Sequence, residues 1–164
     1  PDTIEGEWAA SMADNAILFA CANPIPEIWP WVAKEAGVEI VATGRSDFPN
    51  QVNNSLGLPG IFRGVLDVRA RTISDEMAIA AACEIAACAE EKGLNADYIM
   101  PTMDEWEVFP REAAATAMKA QEQGLARLSK SRQELYDQAK STIQQARTML
   151  NTMMEQGLIA KMPV

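Results

Sequence analysis

Two short apolar runs, separated by one helical segment, constrain the fold of this chain more than any other feature. Residues 16–21 have the sequence AILFAC, and residues 38–42 have the sequence VEIVA. The first run contains no polar residue, which is typical of a parallel strand that is covered on both faces. Residues 27–35 between the runs have a helical pattern, and Gly37 is placed to cap that helix. Strand, helix and strand at this spacing predict a βαβ unit and an α/β fold.

Both predicted strands run into segments that are rich in Asn, Gly and Pro. Residues 22–26 (ANPIP) follow the first strand, and residues 42–60 (ATGRSDFPNQVNNSLGLPG) follow the second. A plain connection needs only one or two turn residues. Ligands of parallel α/β sheets lie beyond the carboxyl ends of the strands. We therefore expect these two loops to form a ligand site at one edge of the sheet.

Composition and charge restrict the kinds of partner. The 164 residues are enough for one domain or a large part of one, and 48% are hydrophobic and 23% charged, as in globular chains. A net charge of -9 disfavours nucleic acid and anionic membranes as partners. The sequence contains no His, which excludes a His-based triad. Three cysteines without CxxC spacing, and the lack of an evident signal peptide, predict a cytoplasmic location.

The second half is predicted to be mostly helical. In chain order we expect a helix capped by Thr72 or Ser74 that runs to about Lys92, a short strand at 97–100, a helix from Pro110 to Gln123, and a long final helix. Ser131 and Glu134 form the capping box that opens the final helix. The composition changes near Pro101, so we place a boundary between residues 1–100 and a helical carboxyl-terminal extension, residues 101–164.

Four sequence blocks carry a resemblance to a known family: ILFACANPIPEI, IVATGRSDFPNQVNNSLGLPGIFRG, LDVRA and ADYIMP. Over residues 14–128 the chain resembles the carboxyl-terminal part of the NAD(P)-binding domain of malic enzymes, chiefly the bacterial and archaeal type. The resemblance implies the later part of a Rossmann-like parallel sheet, followed by a helical carboxyl-terminal region. It also implies oxidative decarboxylation of malate to pyruvate, with NAD or NADP and with Mg²⁺ or Mn²⁺ in the complete enzyme.

The same resemblance implies roles for four residues at the sheet edge. It assigns substrate contact to Asn23, Asn53 and Asn54, and cofactor contact to Asn23, Gly44 and Asn54. An amide suits this work because its carbonyl accepts a hydrogen bond while its NH₂ group donates. From the residues alone the alternatives stay open: Asn23 as a turn residue, Asn53 and Asn54 as helix caps, and Gly44 as a positive-φ glycine.

Charged residues near the loop have alternatives of their own. Arg45 is either an anion clamp or the ion-pair partner of Asp47, and we favour the ion pair. Acidic pairs elsewhere lack the other ligand types that a metal site needs, so we expect no metal ligand in this chain. The resemblance places the catalytic Tyr and Lys and the acidic metal ligands upstream of Pro1, so no catalytic residue is expected here either.

No GxGxxG fingerprint occurs, although a complete dinucleotide-binding domain needs those glycines near the pyrophosphate. We therefore expect the chain to be inactive alone and to work with the missing amino-terminal portion of the same enzyme. An incomplete sheet exposes an edge and apolar surface, which predicts a homo-oligomer in which the final helix reaches across. Two alternatives remain: a non-catalytic assembly fragment, or another Rossmann-type hydroxy-acid dehydrogenase.

Overall fold

The computed structural model describes residues 1–160, and its strands and helices alternate at the start of the chain. The elements are α1 (Gly6–Ala10), β1 (Ile17–Ala20), α2 (Pro30–Glu35), β2 (Ile40–Thr43), α3 (Asn54–Asp67), α4 (Asp75–Lys92), α5 (Val108–Glu122) and α6 (Arg132–Glu155). The two strands pair in parallel, with Ile17 opposite Ile40 and Ala20 opposite Thr43. The predicted βαβ unit and the α/β class are therefore confirmed, although each strand and α2 are shorter than expected.

Strand β1 is covered on one face only. Leu18 and Ala20 are buried against a cluster that includes Ala33 of α2, whereas Ile17 is 51% exposed and Phe19 is 49% exposed. The prediction of a strand covered on both faces is therefore wrong for the part of the chain that the structure describes. The apolar run is compatible with two covered faces, but the elements present supply a cover for one.

Helix α3 occupies residues that we expected to continue the loop. It begins at Asn54 and contains Gly57, Pro59 and Gly60 in its first half, all of which are poor helix formers. Packing against α5 overrides this propensity. A Cβ atom on Gly60 would overlap the Glu112 carboxylate, and one on Gly64 would overlap the Ala113 carbonyl oxygen. The glycines are thus needed for the close approach of two helices.

Residues 97–100 do not form the predicted strand. Asn95 and Tyr98 make a single antiparallel bridge around a tight turn, and the Asn95 side chain accepts a hydrogen bond from the Asp97 amide over 3.0 Å. A side-chain bond of this kind closes a turn and competes with an extended ladder. The predicted third strand is replaced by a turn that lies beside the loop after β2.

The predicted helix caps are largely confirmed. Ser74 caps α4, and Ser131 and Glu134 form the capping box of α6. Helix α5 begins at Val108, two residues before Pro110. In α6 only Leu135 and Ala139 are buried, so the distal half of its apolar stripe faces solvent in this chain. Among the helices of residues 1–160, none combines the length and apolarity of a membrane span.

Candidate functional site

The loops that follow β1 and β2 meet at one edge of the sheet and line an open cleft of about 370 Å³. Three of the four predicted site residues line it: Asn23, Gly44 and Asn53. Asn54 is the first residue of α3 and is exposed beside the cleft, but it does not line it. The structure therefore brings together residues that are up to 30 positions apart in the sequence, as the carboxyl ends of adjacent parallel strands require.

Asn23 presents a free amide to the cleft. It is exposed, and its side chain makes no hydrogen bond within residues 1–160. The loop around it is held by Glu27, whose carboxylate accepts a hydrogen bond from the Ala22 amide over 3.0 Å. That bond lowers the pKa of Glu27. A fixed backbone with an unengaged amide is suited to ligand binding.

Gly44 lies at a close approach between the two loops. It is buried, and a Cβ atom there would lie 3.1 Å from the Cys21 carbonyl oxygen. Its φ is not positive, so the positive-φ alternative is wrong. The missing side chain avoids this contact at the ends of β1 and β2, and Gly44 itself lines the cleft.

Arg45 ties the two loops together and is not a free anion clamp. Its guanidinium donates to both carboxylate oxygens of Asp47, over 2.8 and 2.7 Å, and to the Pro24 carbonyl oxygen over 2.6 Å. The favoured ion pair is confirmed. It holds the pKa of Asp47 below its ordinary value. The guanidinium also lies 5.5 Å from the Trp29 ring centre, within cation–π range.

Asn53 uses part of its amide inside the protein. Its Oδ1 accepts from the Ser55 amide over 2.9 Å, which caps α3, and its Nδ2 donates to the Gly44 carbonyl oxygen over 3.0 Å. One N–H of Nδ2 remains for a ligand. The cap and the ligand role are therefore compatible. Asn54 follows with an exposed side chain at the N-terminal end of the same helix, where the peptide dipoles favour negative charge.

Sequence reasoning missed two buried polar residues, Asn50 in the loop after β2 and Glu112 between α3 and α5. Asn50 is 6% exposed and bonds both β2 and the turn at residues 95–99. Glu112 on α5 is fully buried, and neither carboxylate oxygen has a hydrogen-bond partner in the described chain. Burial raises the pKa of Glu112 to about 9, so this carboxyl group is neutral at pH 7. The sequence contained one indication of Asn50, because Asn adopts left-handed backbone conformations more readily than most residues. It contained no indication that Glu112 is buried.

Residues that could bind a metal ion are not clustered in the part of the chain that the structure describes. Across residues 1–160, no group of three or more His, Cys, Asp or Glu side chains could hold a metal ion. The cleft itself contains one carboxylate, Asp47, which is paired with Arg45. These residues alone do not make a site for Mg²⁺ or Mn²⁺.

A parallel βαβ unit with amide-rich loops at its carboxyl edge defines part of a Rossmann-like nucleotide-binding domain. The family model for the malic enzyme NAD binding domain matches residues 7–123. The chain belongs to the malic enzyme family, and the resemblance drawn from the four sequence blocks is confirmed.

Individual relatives agree with this assignment. The chain is 51% identical over 134 residues to the bifunctional malic/malolactic enzyme of Bacillus subtilis (strain 168), covering 82% of this chain and 33% of that protein. It is 42% identical over 142 residues to the NADP-dependent malic enzyme of Halomonas elongata, covering 77% of this chain and 34% of that protein. The chain thus spans about one third of the length of these two curated relatives.

Solved structures show the same fold. The malic enzyme of Entamoeba histolytica superimposes with a TM-score of 0.97 at 51% identity, covering 99% of this chain and 34% of that one. The malic enzyme of Pyrococcus horikoshii Ot3 superimposes with a TM-score of 0.87 at 45% identity, covering 95% and 36% respectively. The elements described above, including α6, are therefore those of a malic enzyme domain.

Proposed function

We propose that this chain is the carboxyl-terminal part of the NAD(P)-binding domain of a malic enzyme, and that the complete protein converts malate to pyruvate and CO₂ with NAD or NADP. The observation that carries the proposal is the amide-lined cleft at the carboxyl ends of β1 and β2, in a chain of this family. Residues 1–100 supply this edge, and the described part of the 101–164 extension, residues 101–160, is mostly helical; residues 161–164 lie outside the described residues.

The cleft suits the polar parts of the ligands, both the carboxylates and the hydroxyl group of malate. Asn23 has a free amide and Asn53 has one free N–H, so they can donate to malate carboxylate oxygens or accept from its hydroxyl group. We assign Asn54 to malate and the nicotinamide side of the cofactor, and Gly44 to the backbone that faces the cofactor. Asn23, Gly44 and Asn54 would hold NAD(P) at this edge, and the bound cofactor would supply the acceptor for the hydride on C2 of malate. The chain's own residues orient C2 by binding the malate hydroxyl and carboxylate oxygens.

Proton transfer needs groups from outside the cleft. Arg45 and Asp47 are the charged residues among those that line it, and they neutralise each other. We therefore place the general acid and base, and the metal ligands, in the amino-terminal portion of the same enzyme. The half-exposed Ile17 and Phe19 on the open face of β1 offer the apolar surface against which that portion would pack.

Assembly and location belong to the same proposal. The exposed distal part of α6 includes Met149 at 65% exposure and Leu150 at 43%, and we assign it to contacts in a homo-oligomer. Cys21 and Cys83 are free, exposed thiols, which favours a reducing, cytoplasmic environment.

Turnover by the full-length protein tests the proposal. Reduction of NAD or NADP should depend on malate, and pyruvate and CO₂ should form in equal amounts with Mn²⁺ present. Lactate and isocitrate are suitable comparison substrates. Oxidation of another hydroxy acid in preference to malate would favour the dehydrogenase alternative, and no oxidation of any of them would favour the assembly fragment.

A further inference from the structure

The Asn50 side chain makes three hydrogen bonds near the cleft. Its Nδ2 donates to the Ala96 carbonyl oxygen over 2.8 Å and to the Val41 carbonyl oxygen over 3.2 Å. Its Oδ1 accepts from the Ile99 amide over 2.9 Å. One side chain therefore joins β2 to a turn that lies 46 to 49 residues further along the chain.

The backbone of Asn50 is fixed as firmly as its side chain. Its φ is +56°, in the left-handed region that Asn adopts more readily than most residues. Its carbonyl oxygen accepts from the Thr43 amide over 3.3 Å, and the Val52 amide donates back to the Thr43 carbonyl oxygen over 2.7 Å. Residues 50–52 are thus aligned along the last residue of β2, and Asn53 follows them into the cleft.

Apolar packing does not fill the space between the loop and the turn. A cavity of about 260 Å³ lies there, lined by Phe48 and Asn50 on the loop side and by Tyr98 and Met100 on the turn side. With a cavity between the two segments, their separation depends on the polar ties across it. The three hydrogen bonds of the Asn50 amide supply such a tie.

We propose that Asn50 is a positioning residue for the malate site: its buried amide fastens the 95–99 turn to the end of β2 and so sets where Asn53 and Asn54 stand. This rests on the proposed function for the meaning of the site. This positioning role needs a neutral amide, because the side chain donates two of its hydrogen bonds and accepts the third. Asp tolerates the same φ and keeps the acceptor, but it loses both donors and brings a charge into a buried place.

Steady-state kinetics of the full-length protein with Asn50→Gly test this role. Glycine keeps the left-handed backbone and removes only the amide. We expect the KM for malate to rise about tenfold or more, as when a hydrogen bond to a charged ligand is lost. Partial unfolding alone would lower kcat and leave KM unchanged, so an unchanged KM overturns the proposal. If Asn50→Gly does not fold, Asn50→Asp is judged by the same criterion.

Asn95→Ala is the matched control. Asn95 is exposed and lies in the same turn, and its side chain bonds only the Asp97 amide, so loss of that side chain should leave the KM for malate at the wild-type value. Hydrogen exchange provides a readout independent of activity. In Asn50→Gly, and not in Asn95→Ala, the amides of residues 42–56 should exchange faster. If wild-type protein fails to oxidise malate, the proposed function fails, while unchanged exchange in Asn50→Gly would overturn the positioning role itself.

Discussion

The Asn53 side chain donates to the Gly44 carbonyl oxygen over 3.0 Å while it caps α3 through the Ser55 amide over 2.9 Å. One amide therefore connects the first residue after β2 to the first turn of the next helix. This arrangement fixes the direction in which α3 leaves the sheet edge, and it sets the position of the exposed Asn54 at the helix start.

Asn53→Ala should lower the free energy of unfolding by about 1–2 kcal/mol, because both the cap and the bond to Gly44 are lost. Asn53→Ser should lie between wild type and Asn53→Ala, since serine can still cap α3 but is too short to reach Gly44. Urea unfolding of the three proteins measures the order. Equal stabilities for the Ser and Ala variants would contradict the cap.

Asn54→Ala in the full-length enzyme should reduce kcat/KM for malate. The reduction should correspond to a loss of about 1.5–3 kcal/mol of transition-state stabilisation. Its side chain is exposed and bonds nothing in the described part of the chain, so the free energy of unfolding should change little. Kinetics and urea unfolding on the same preparation separate the two effects. An unchanged kcat/KM would remove Asn54 from the site.

Glu112 should make the protein less stable as the pH rises. Burial raises the pKa of Glu112 from 4.5 to about 9, so the folded state binds a proton that the unfolded state releases above pH 4.5. The contribution is fully present below pH 4.5 and is lost as the pH rises towards 9. Glu112→Gln keeps the shape without ionising, so its advantage over wild type should grow with pH, to the order of 5 kcal/mol at pH 8.

Urea unfolding at several pH values between 5 and 9 measures this difference. Glu122→Gln is the control, because Glu122 is on the same helix but is 59% exposed in its ion pair with Lys119. A difference between Glu112→Gln and wild type that does not change with pH would show that Glu112 is already ionised in the folded protein.

Gly64→Ala should destabilise the protein by about 1–3 kcal/mol, because the new methyl group overlaps the Ala113 carbonyl oxygen and forces α3 away from α5. Gly57→Ala is the matched change in the same helix. Its methyl group would lie 3.9 Å from Ile61 and Ile85, so we expect a gain of about 0.5–1 kcal/mol. Thermal unfolding should shift the two variants in opposite directions, and a shared direction would contradict the packing argument.

The chain expressed alone should bind NAD(P) weakly, oxidise no malate and associate through its open sheet face. Sedimentation at several concentrations should show species larger than the 17.9 kDa monomer, and Phe19→Glu should reduce association because Phe19 is 49% exposed on that face. Exposed Phe62 of α3, changed to Glu, is the comparison variant. A monomer at every concentration would show that the chain closes its own core.

The sequence by itself determined the features that depend on near neighbours. The parallel βαβ unit follows from two apolar runs around one helical pattern, and the caps at Ser74 and Ser131 each act within three residues. The co-location of Asn23, Gly44 and Asn53 followed from the rule that parallel strands end at the same edge. These inferences need only local propensity and one rule of topology.

Only the tertiary structure decided the remainder, because its causes lie far apart in the chain. Helix α3 contains glycines that are needed only because α5 packs closely against them. The same contact buries Glu112. The turn at 95–99 is closed locally by Asn95, but Asn50 holds it beside the end of β2 from 46 to 49 residues away. Close packing and long-range hydrogen bonds produce no periodic pattern in the sequence. A pattern of residues therefore predicts the strands and caps, but not the elements against which they pack.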